Sequence, residues 1–185
     1  EAYLDLMFSD YSTISQIAPS GDFGNTGTIN CGNPFLTGPG SAFSAAQLTA
    51  IGCTPAAIAA NSVVSMYILR RNVEGGGRQQ DLGFDTYRMS GGFRGELTTG
   101  IDYDLALQYS KVRFAQTYLN DFSVTRLGRA LNVVDTDPGP GVTAVCQSVI
   151  DGTDPNCVPW NIFQLGGVTP GALAYLQVPL MQRAE

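Results

Sequence analysis

The chain has 185 residues, with 10 basic and 16 acidic side chains, no histidine and a formal net charge of −6 at pH 7. Its only lysine is Lys111, so the clustered cations that phosphate binding needs are missing and a nucleic-acid partner is not expected. The lack of histidine excludes histidine-based catalysis and histidine metal sites. With 22 glycines and 10 prolines, the sequence predicts many turns and few long helices.

The four cysteines indicate an oxidising compartment, and they fall in two polar stretches rich in glycine and proline. Cys31 and Cys53 lie in the first stretch, and Cys146 and Cys157 lie in the second. Three pairings are possible. We expect Cys31–Cys53 and Cys146–Cys157, because each closes a local loop. A four-thiolate zinc site is disfavoured by the absence of C-x₂₋₄-C spacing, and no other metal ligands are expected.

Two neighbouring segments, 87–97 and 101–109, alternate between apolar and polar residues with a period of two and predict an antiparallel hairpin. The predicted apolar face consists of Tyr87, Met89, Phe93, Leu97, Tyr103, Leu105, Leu107 and Tyr109. The predicted charged face consists of Arg88, Arg94, Glu96, Asp102 and Asp104. A three-residue turn at 98–100 would place Arg94 opposite Asp104 and Leu97 opposite Ile101. This register sets opposite charges face to face, although Glu96 then faces Asp102.

Such alternation is found both in soluble β-sandwiches and in outer-membrane β-barrels. Strands of about ten residues are long for a sandwich, and tyrosines near the ends of the apolar face are typical of membrane interfaces. One short turn between very long connections is the outer-membrane pattern. We therefore expect an all-β fold, a segment of a transmembrane antiparallel barrel with about three long strands and two long disulfide-bearing loops. Its charged face would line the lumen and its apolar face would contact lipid.

Placing the short turn on the periplasmic side fixes the direction of each strand. The segment 63–71 is then interpreted as the upper extension of the descending strand. The expected boundaries are a strand at 1–12, an extracellular loop at 13–61, a descending strand at 62–97, a periplasmic turn at 98–100, an ascending strand at 101–118 and an extracellular loop at 119–185.

The two long loops contain signals for short helices. Ser44 can cap a helix ending at Gly52, and Thr54-Pro55 can start another. Either Asp121 or Ser123 can cap a helix that runs through Asn132. A last helix begins at Thr169-Pro170. The side chains predicted to face inward from these last two helices are Val124, Leu127, Leu131, Leu173 and Leu176.

Candidate catalytic chemistry is weak throughout. The stretch 151–156 (DGTDPN) resembles a fragment of a calcium loop, but the EF-hand pattern is not met and a turn is the favoured interpretation. The glycines at 75–77 lack the G-K-[ST] of a phosphate loop. No serine has an evident base. We expect no enzyme activity, no catalytic residue and no cofactor.

Four motifs in order along the chain resemble the barrel region of TonB-dependent outer-membrane receptors. They are RRNVEGGGR at 70–78, YLNDFSVTR at 118–126, DGTDPNCVPWNIF at 151–163 and GGVTP at 166–170. The resemblance implies a 22-stranded barrel closed by a plug domain. It further implies import of a scarce ligand (an iron chelate, cobalamin or a saccharide) with energy relayed by the inner-membrane TonB complex. The implied partners are outer-membrane lipid, the rest of the receptor with its plug, and the TonB complex through the full-length protein.

Three strands cannot close a barrel, so the chain is expected to be an excerpt without its plug. The alternative is a secreted, disulfide-stapled β-protein with a structural role, which self-assembles through open strand edges into a filament or surface layer. The candidate ligand contacts are Tyr118, Asn120, Trp160 and Asn161, although packing within the loops is the favoured role for each.

Overall fold

The fold is that of a computed structural model, which describes residues 1–23, 27–137, 141 and 143–185. Strands account for 47% of the chain and helices for 21%, and the sheets are antiparallel, so the mostly-β prediction is confirmed at that level. The strands are β1 (Ala2–Pro19), β2 (Gly21–Asp22), β3 (Gly27–Asn30), β4 (Val63–Met66), β5 (Arg70–Arg71), β6 (Gly77–Thr98), β7 (Ile101–Leu119), β8 (Val133–Asp135), β9 (Ala144–Cys146) and β10 (Leu180–Ala184). The helices are α1 (Pro34–Thr37), α2 (Ala45–Ala50), α3 (Pro55–Ala59), α4 (Val124–Leu131), α5 (Gln147–Ile150) and α6 (Pro170–Leu176), with a 3₁₀ turn at Val73–Gly75.

The chain divides into two compact units. The sheet unit comprises Glu1–Gln16, Gln79–Leu119 and Pro179–Glu185. The loop unit comprises Ile17–Arg78 and Asn120–Val178. No helix in the described ranges is both long enough and apolar enough to cross a membrane.

The sheet unit is built on four strands in the order β1-β6-β7-β10. The predicted hairpin register is confirmed along β6 and β7, where Arg94 lies opposite Asp104 and Phe93 lies opposite Leu105. The turn itself differs from the prediction. A bulge between Glu96 and Thr98 sets Thr98 opposite Ile101, so Leu97 does not face Ile101 and the connection is two residues long. Gly100 supplies the positive φ of 83° that this tight turn requires.

The long strands extend well beyond their predicted ends. β1 runs to Pro19 rather than to residue 12, because its apolar side chains change face and the simple alternation breaks while the strand continues. The prediction also missed a fourth strand, since β10 lies within the stretch expected to be loop and pairs with 114–118 of β7.

The segment 63–71 is not an extension of β6, as the sequence had suggested. Val63–Met66 forms β4 and pairs with β3, and Arg70–Arg71 forms β5 and pairs with β2. Val64, Met66 and Ile68 alternate toward the interior of the loop unit, while the intervening side chains are exposed. The mixed pattern of this segment therefore reflects burial of one face inside the loop unit.

The loop unit contains two hydrophobic clusters, each organised around one of the predicted disulfides. Cys31–Cys53 lies in the first cluster with Ile29, Leu36 and Leu48. Cys146–Cys157 lies in the second. The other buried members of the second cluster are Ile68, Leu127, Ala130, Leu131, Trp160, Ala172, Tyr175 and Leu176.

The predicted helix starts are confirmed by their caps. Ser44 closes a capping box on α2 with Gln47, Thr54 caps α3 and Thr169 caps α6. Ser123, rather than Asp121, caps α4. The Asp121 side chain instead accepts a hydrogen bond from the Ser20 hydroxyl.

Most of the predicted inward faces of α4 and α6 are buried, with one error. Leu127, Leu131 and Leu176 are buried and Leu173 is half-buried. Val124 is 68% exposed, because it occupies the first turn of α4 on the side away from the core.

A buried asparagine joins the two halves of the loop unit. Asn30 Nδ2 donates to the Val133 carbonyl at 2.7 Å, and the Val133 N–H donates to Asn30 Oδ1 at 3.1 Å. The side-chain amide thus pairs with a backbone peptide as a strand neighbour would. Asn33 Nδ2 donates in the same way to the Leu131 carbonyl at 2.9 Å. Together these bonds satisfy the backbone groups at the end of α4, where helical partners run out.

We predict that Asn30→Ala lowers the free energy of unfolding by about 2–3 kcal/mol, since the buried polar groups of Val133 would lose their partners. Urea unfolding can be followed by the fluorescence of Trp160, the single tryptophan. Asn156→Ala, at an exposed asparagine, is the matched control and should change stability by less than about 0.5 kcal/mol. Equal effects of the two substitutions would contradict the role assigned to Asn30.

Candidate functional site

The two faces of the sheet unit differ in chemistry, as the alternation predicted. Met89 lies opposite Tyr109 and Phe93 opposite Leu105, so their side chains share one face. This apolar face is open to its surroundings: Leu105 is 70% exposed and Leu107 is 82% exposed. Of the eight predicted members, Tyr87, Met89, Phe93, Tyr103, Leu105, Leu107 and Tyr109 share the face, and Leu97 lies in the bulge.

Strand β1 widens the apolar face. The Phe8 ring contacts the Tyr87 ring with centroids 5.0 Å apart, and β1 supplies Leu4 and Leu6 at the preceding alternate positions. Both leucines are strongly exposed. The apolar face is therefore continuous across β1, β6 and β7.

The predicted charged side chains lie together on the opposite face. Arg94 is opposite Asp104 in register, but its guanidinium forms a bidentate ion pair with Glu1, at 2.7 and 3.0 Å. Arg88 Nη2 contacts Asp5 Oδ2 at 3.2 Å. The sequence had placed these residues on one face without identifying the β1 carboxylates as their partners. The alternation of β1 was the signal, because Asp5 falls on its polar side.

Asp104 is bound by a side chain that crosses the intervening strand. The Tyr3 hydroxyl donates to Asp104 Oδ1 at 2.7 Å. Gly92 leaves room for this contact, since a Cβ at that position would clash with the Leu105 carbonyl oxygen and lie 2.7 Å from the Tyr3 ring. The residues around this pair line an open hollow of about 610 Å³.

Glu96 and Asp102 are directly opposite each other, which is unfavourable for two carboxylates. Glu96 Oε1 accepts a hydrogen bond from the Gly100 N–H at 3.2 Å, which holds it toward the turn. No group of three or more potential metal ligands occurs in the described ranges. The charged face is thus a surface of ion pairs with an acidic end.

The four candidate ligand contacts have different environments. Trp160 is fully buried, with its ring 5.3 Å from the Phe122 ring and Arg70 over its face at 5.9 Å. Asn120 adopts a φ of 64° and donates to the Gly77 carbonyl at 2.9 Å. Tyr118 is half-buried on the sheet unit, opposite Gln80 of β6. For Trp160 and Asn120 these contacts amount to packing and turn stabilisation.

Asn161 differs from the others, because it lines a groove in the loop unit. Its Oδ1 accepts a hydrogen bond from the Phe163 N–H at 3.2 Å. The groove has a volume of about 310 Å³ and is lined by uncharged residues. Phe35 and Phe163 contribute aromatic rings to it, and Leu165 at its rim is completely exposed.

The DGTDPN stretch is a turn, the interpretation favoured from the sequence. Asp151 Oδ1 accepts hydrogen bonds from the N–H and the hydroxyl of Thr153. Asp154 Oδ2 accepts from Arg129 Nη1 and from the Tyr175 hydroxyl, both at 2.8 Å. These carboxylates therefore serve as hydrogen-bond acceptors that fasten the turn to α4 and α6.

The Asp154 cluster shifts the pKa values of its members. The hydrogen bond from Tyr175, and then that from Arg129, lowers the pKa of Asp154 below its usual value. Burial, reinforced by Asp154, raises the pKa of Tyr175 to about 12. The stability contributed by the Asp154 carboxylate is present above its unfolded pKa of about 3.9 and is lost as the pH falls below that value. The contribution of the neutral Tyr175 phenol is present below about pH 10 and is lost as the pH rises toward 12.

Comparison with protein-family models, with curated proteins and with solved structures finds no match to this chain.

We predict that Tyr175→Phe lowers the free energy of unfolding by about 1–2 kcal/mol at pH 7, because Asp154 loses a hydrogen bond inside the loop unit. The difference between wild type and variant should shrink between pH 10 and pH 12, because the phenol has a pKa of about 10 in the unfolded chain and of about 12 in the folded one. Urea unfolding at several pH values measures both effects.

Tyr67→Phe is the control, since Tyr67 is 70% exposed and its hydroxyl has no hydrogen-bond partner among the described residues. It should leave stability nearly unchanged. A pH-independent difference for Tyr175→Phe would contradict the assigned ionisation.

Proposed function

We propose that the chain is part of a TonB-dependent outer-membrane receptor, which captures and imports a scarce ligand. One observation carries the proposal: the sheet unit exposes a continuous apolar face on strands of 18, 22 and 19 residues while its other face is charged. A soluble sheet would bury such a face in its own core, since large exposed apolar patches mark interaction surfaces.

The height of the apolar band supports a lipid environment. On β6 the band extends from Tyr87 to the bulge at Leu97, which is ten residue steps. At roughly 3.4 Å per residue and a tilt of about 45°, these cover about 24 Å, close to the roughly 25 Å apolar band of outer-membrane barrels.

The ends of the band carry the residues expected at a membrane interface. Tyr87 and Tyr109 lie toward one end and Tyr103 toward the other. Beyond Tyr87 the same face becomes charged: Lys111 lies opposite Tyr87, and Arg113 lies opposite Asp85. Lys111 and Arg113 both pair with Glu185, at 2.9 and 2.8 Å. Charged groups begin where the apolar band ends, as they do where strands emerge into water.

The apolar face, the charged face and the loop unit would each have a different environment in the receptor. The apolar face contacts outer-membrane lipid, and the charged face lines the lumen toward the plug of the full-length receptor, which engages the TonB complex. The loop unit, with its two disulfides, belongs on the oxidising extracellular side. The proposal includes no enzymatic step.

A structural role in a filament or surface layer is the second candidate, and the sheet edges favour it. In the described ranges β1 and β10 each pair on one side only, so both present open hydrogen-bonding edges. In a receptor these edges pair with further strands of the same barrel. In a filament they pair with other copies of the chain.

We predict that Leu105→Arg destabilises the protein in detergent or bilayer by about 2–4 kcal/mol, because the substitution places a cation near the middle of the apolar band. Urea unfolding in phospholipid vesicles measures the loss. Gln108→Arg is the matched control: it lies on the same strand but on the charged face, and it should cost little.

Equal effects at positions 105 and 108 would contradict the lipid-facing assignment. The filament candidate predicts a different result, since wild-type chain would then remain outside the vesicles and form ordered assemblies visible by electron microscopy.

A further inference from the structure

Apolar side chains change face along the long strands. Between the β6–β7 turn and Tyr87 they belong to the apolar face described above. We call this part the lower half of the sheet unit, and the part beyond Tyr87 the upper half. In the upper half, Phe84 lies opposite Phe114 on the face that carries Arg88 and Arg94, since all four are reached by steps of two residues in the β6–β7 register. The upper half of the charged face is therefore aromatic.

Three rings from three adjacent strands form what we call the aromatic row: Tyr11 of β1, Phe84 of β6 and Phe114 of β7. The Phe84 and Phe114 centroids are 5.0 Å apart, and the Tyr11 and Phe84 centroids are 6.4 Å apart. Tyr11 is 58% exposed. The row is thus an apolar shelf, three rings wide, that remains open on one side.

The polar groups beside the aromatic row are uncharged amides. Gln116 follows Phe114 on the same face and lies opposite Gln182 of β10. On β6, Leu82 lies opposite Gln116, and Gln80 lies two residues before Leu82, opposite Tyr118. The nearest cations in sequence, Lys111 and Arg113, lie on the other face and are paired with Glu185.

This combination of groups selects among ligand classes. An anionic iron chelate would require unpaired cations. The cation nearest to the aromatic row on this face is Arg88, two alternate positions from Phe84 along β6, and it is paired with Asp5 at 3.2 Å. A purely aromatic ligand would cover the glutamines without bonding them, which is costly for buried amides. A sugar ring offers an apolar C–H surface for stacking, together with hydroxyls that both donate and accept. Glutamine amides do both as well.

We propose that the aromatic row, with Gln80, Gln116 and Gln182, binds a neutral oligosaccharide. The inference rests on the proposed function, because it names the substrate class that the lumen of the receptor would admit. Small-ligand sites typically combine apolar and aromatic walls with a few placed polar groups, which is the arrangement here.

The experiment is isothermal titration calorimetry on the full chain in detergent, with maltopentaose, cellopentaose and xylopentaose as probes and ferric citrate as the anionic comparison. We expect at least one pentasaccharide to bind. Phe114→Ala should weaken that binding at least about tenfold, and Phe114→Tyr should restore it to within about threefold, because the alanine variant loses the ring on which the sugar stacks and the tyrosine variant keeps it. Thermal unfolding of each variant separates loss of binding from loss of fold.

Phe93→Ala is the matched control, because Phe93, like Phe114, is a phenylalanine in a cross-strand pair of β6 and β7 but lies on the apolar face. It should leave saccharide affinity unchanged. The inference is overturned if none of the three pentasaccharides binds, if Phe93→Ala and Phe114→Ala weaken binding equally, or if ferric citrate binds at the aromatic row.

Vesicle insertion of the same wild-type sample tests the proposed function separately. Insertion without saccharide binding overturns only the saccharide site. Binding without insertion leaves the aromatic row as a sugar site and overturns the membrane receptor.

Discussion

A single side-chain amide carries the connection on which the loop unit depends. The Asn30 side chain donates to the Val133 carbonyl and accepts from the Val133 N–H, as a neighbouring strand would. The two residues are 103 positions apart in the chain. Neither partner can be lost without leaving a buried polar group unpaired. Because Asn30 also adjoins the Cys31–Cys53 cluster and Val133 follows α4, this pairing aligns the two hydrophobic clusters. The disulfides each close a local loop, whereas the amide joins distant segments.

The sheet unit differs from the loop unit, since its large apolar side chains are exposed rather than packed into a core. β6 and β7 pair along nearly their full length, yet both faces of the sheet unit carry exposed side chains in the described chain. At about the level of Tyr87, the apolar side chains of β6 and β7 move from one face of the sheet to the other. Each of these strands therefore has two parts with different chemical surroundings. In the membrane environment proposed above, lipid would cover the apolar part of one face and water its charged part. The opposite face changes along the strands from ion pairs to aromatic rings and amides.

What the sequence predicted correctly was local. The hairpin register, the capping residues Ser44, Thr54 and Thr169, and the pairing of near cysteines each depend on signals a few residues apart. The errors arose where distant partners decide the structure. The segment 63–71 pairs with β2 and β3, and β10 pairs with β7, and neither pairing has a local signal. Trp160 could be identified as a large aromatic in a loop, but its burial depends on α4 and α6, which pack around it from elsewhere in the chain.

The order of segments in the loop unit has a consequence for how the protein is made. Residues 17–78 and 120–178 are separated in the chain by the whole β6–β7 hairpin. The first half therefore leaves the ribosome before Val133 has been synthesised to meet Asn30. During that interval Ile29 and Leu36 have only half of their core, and Cys31 can already be oxidised with Cys53. Assembly of the unit must wait for the later segment, and pairing of the two nearby cysteines limits the wrong partners available to the early half in that interval.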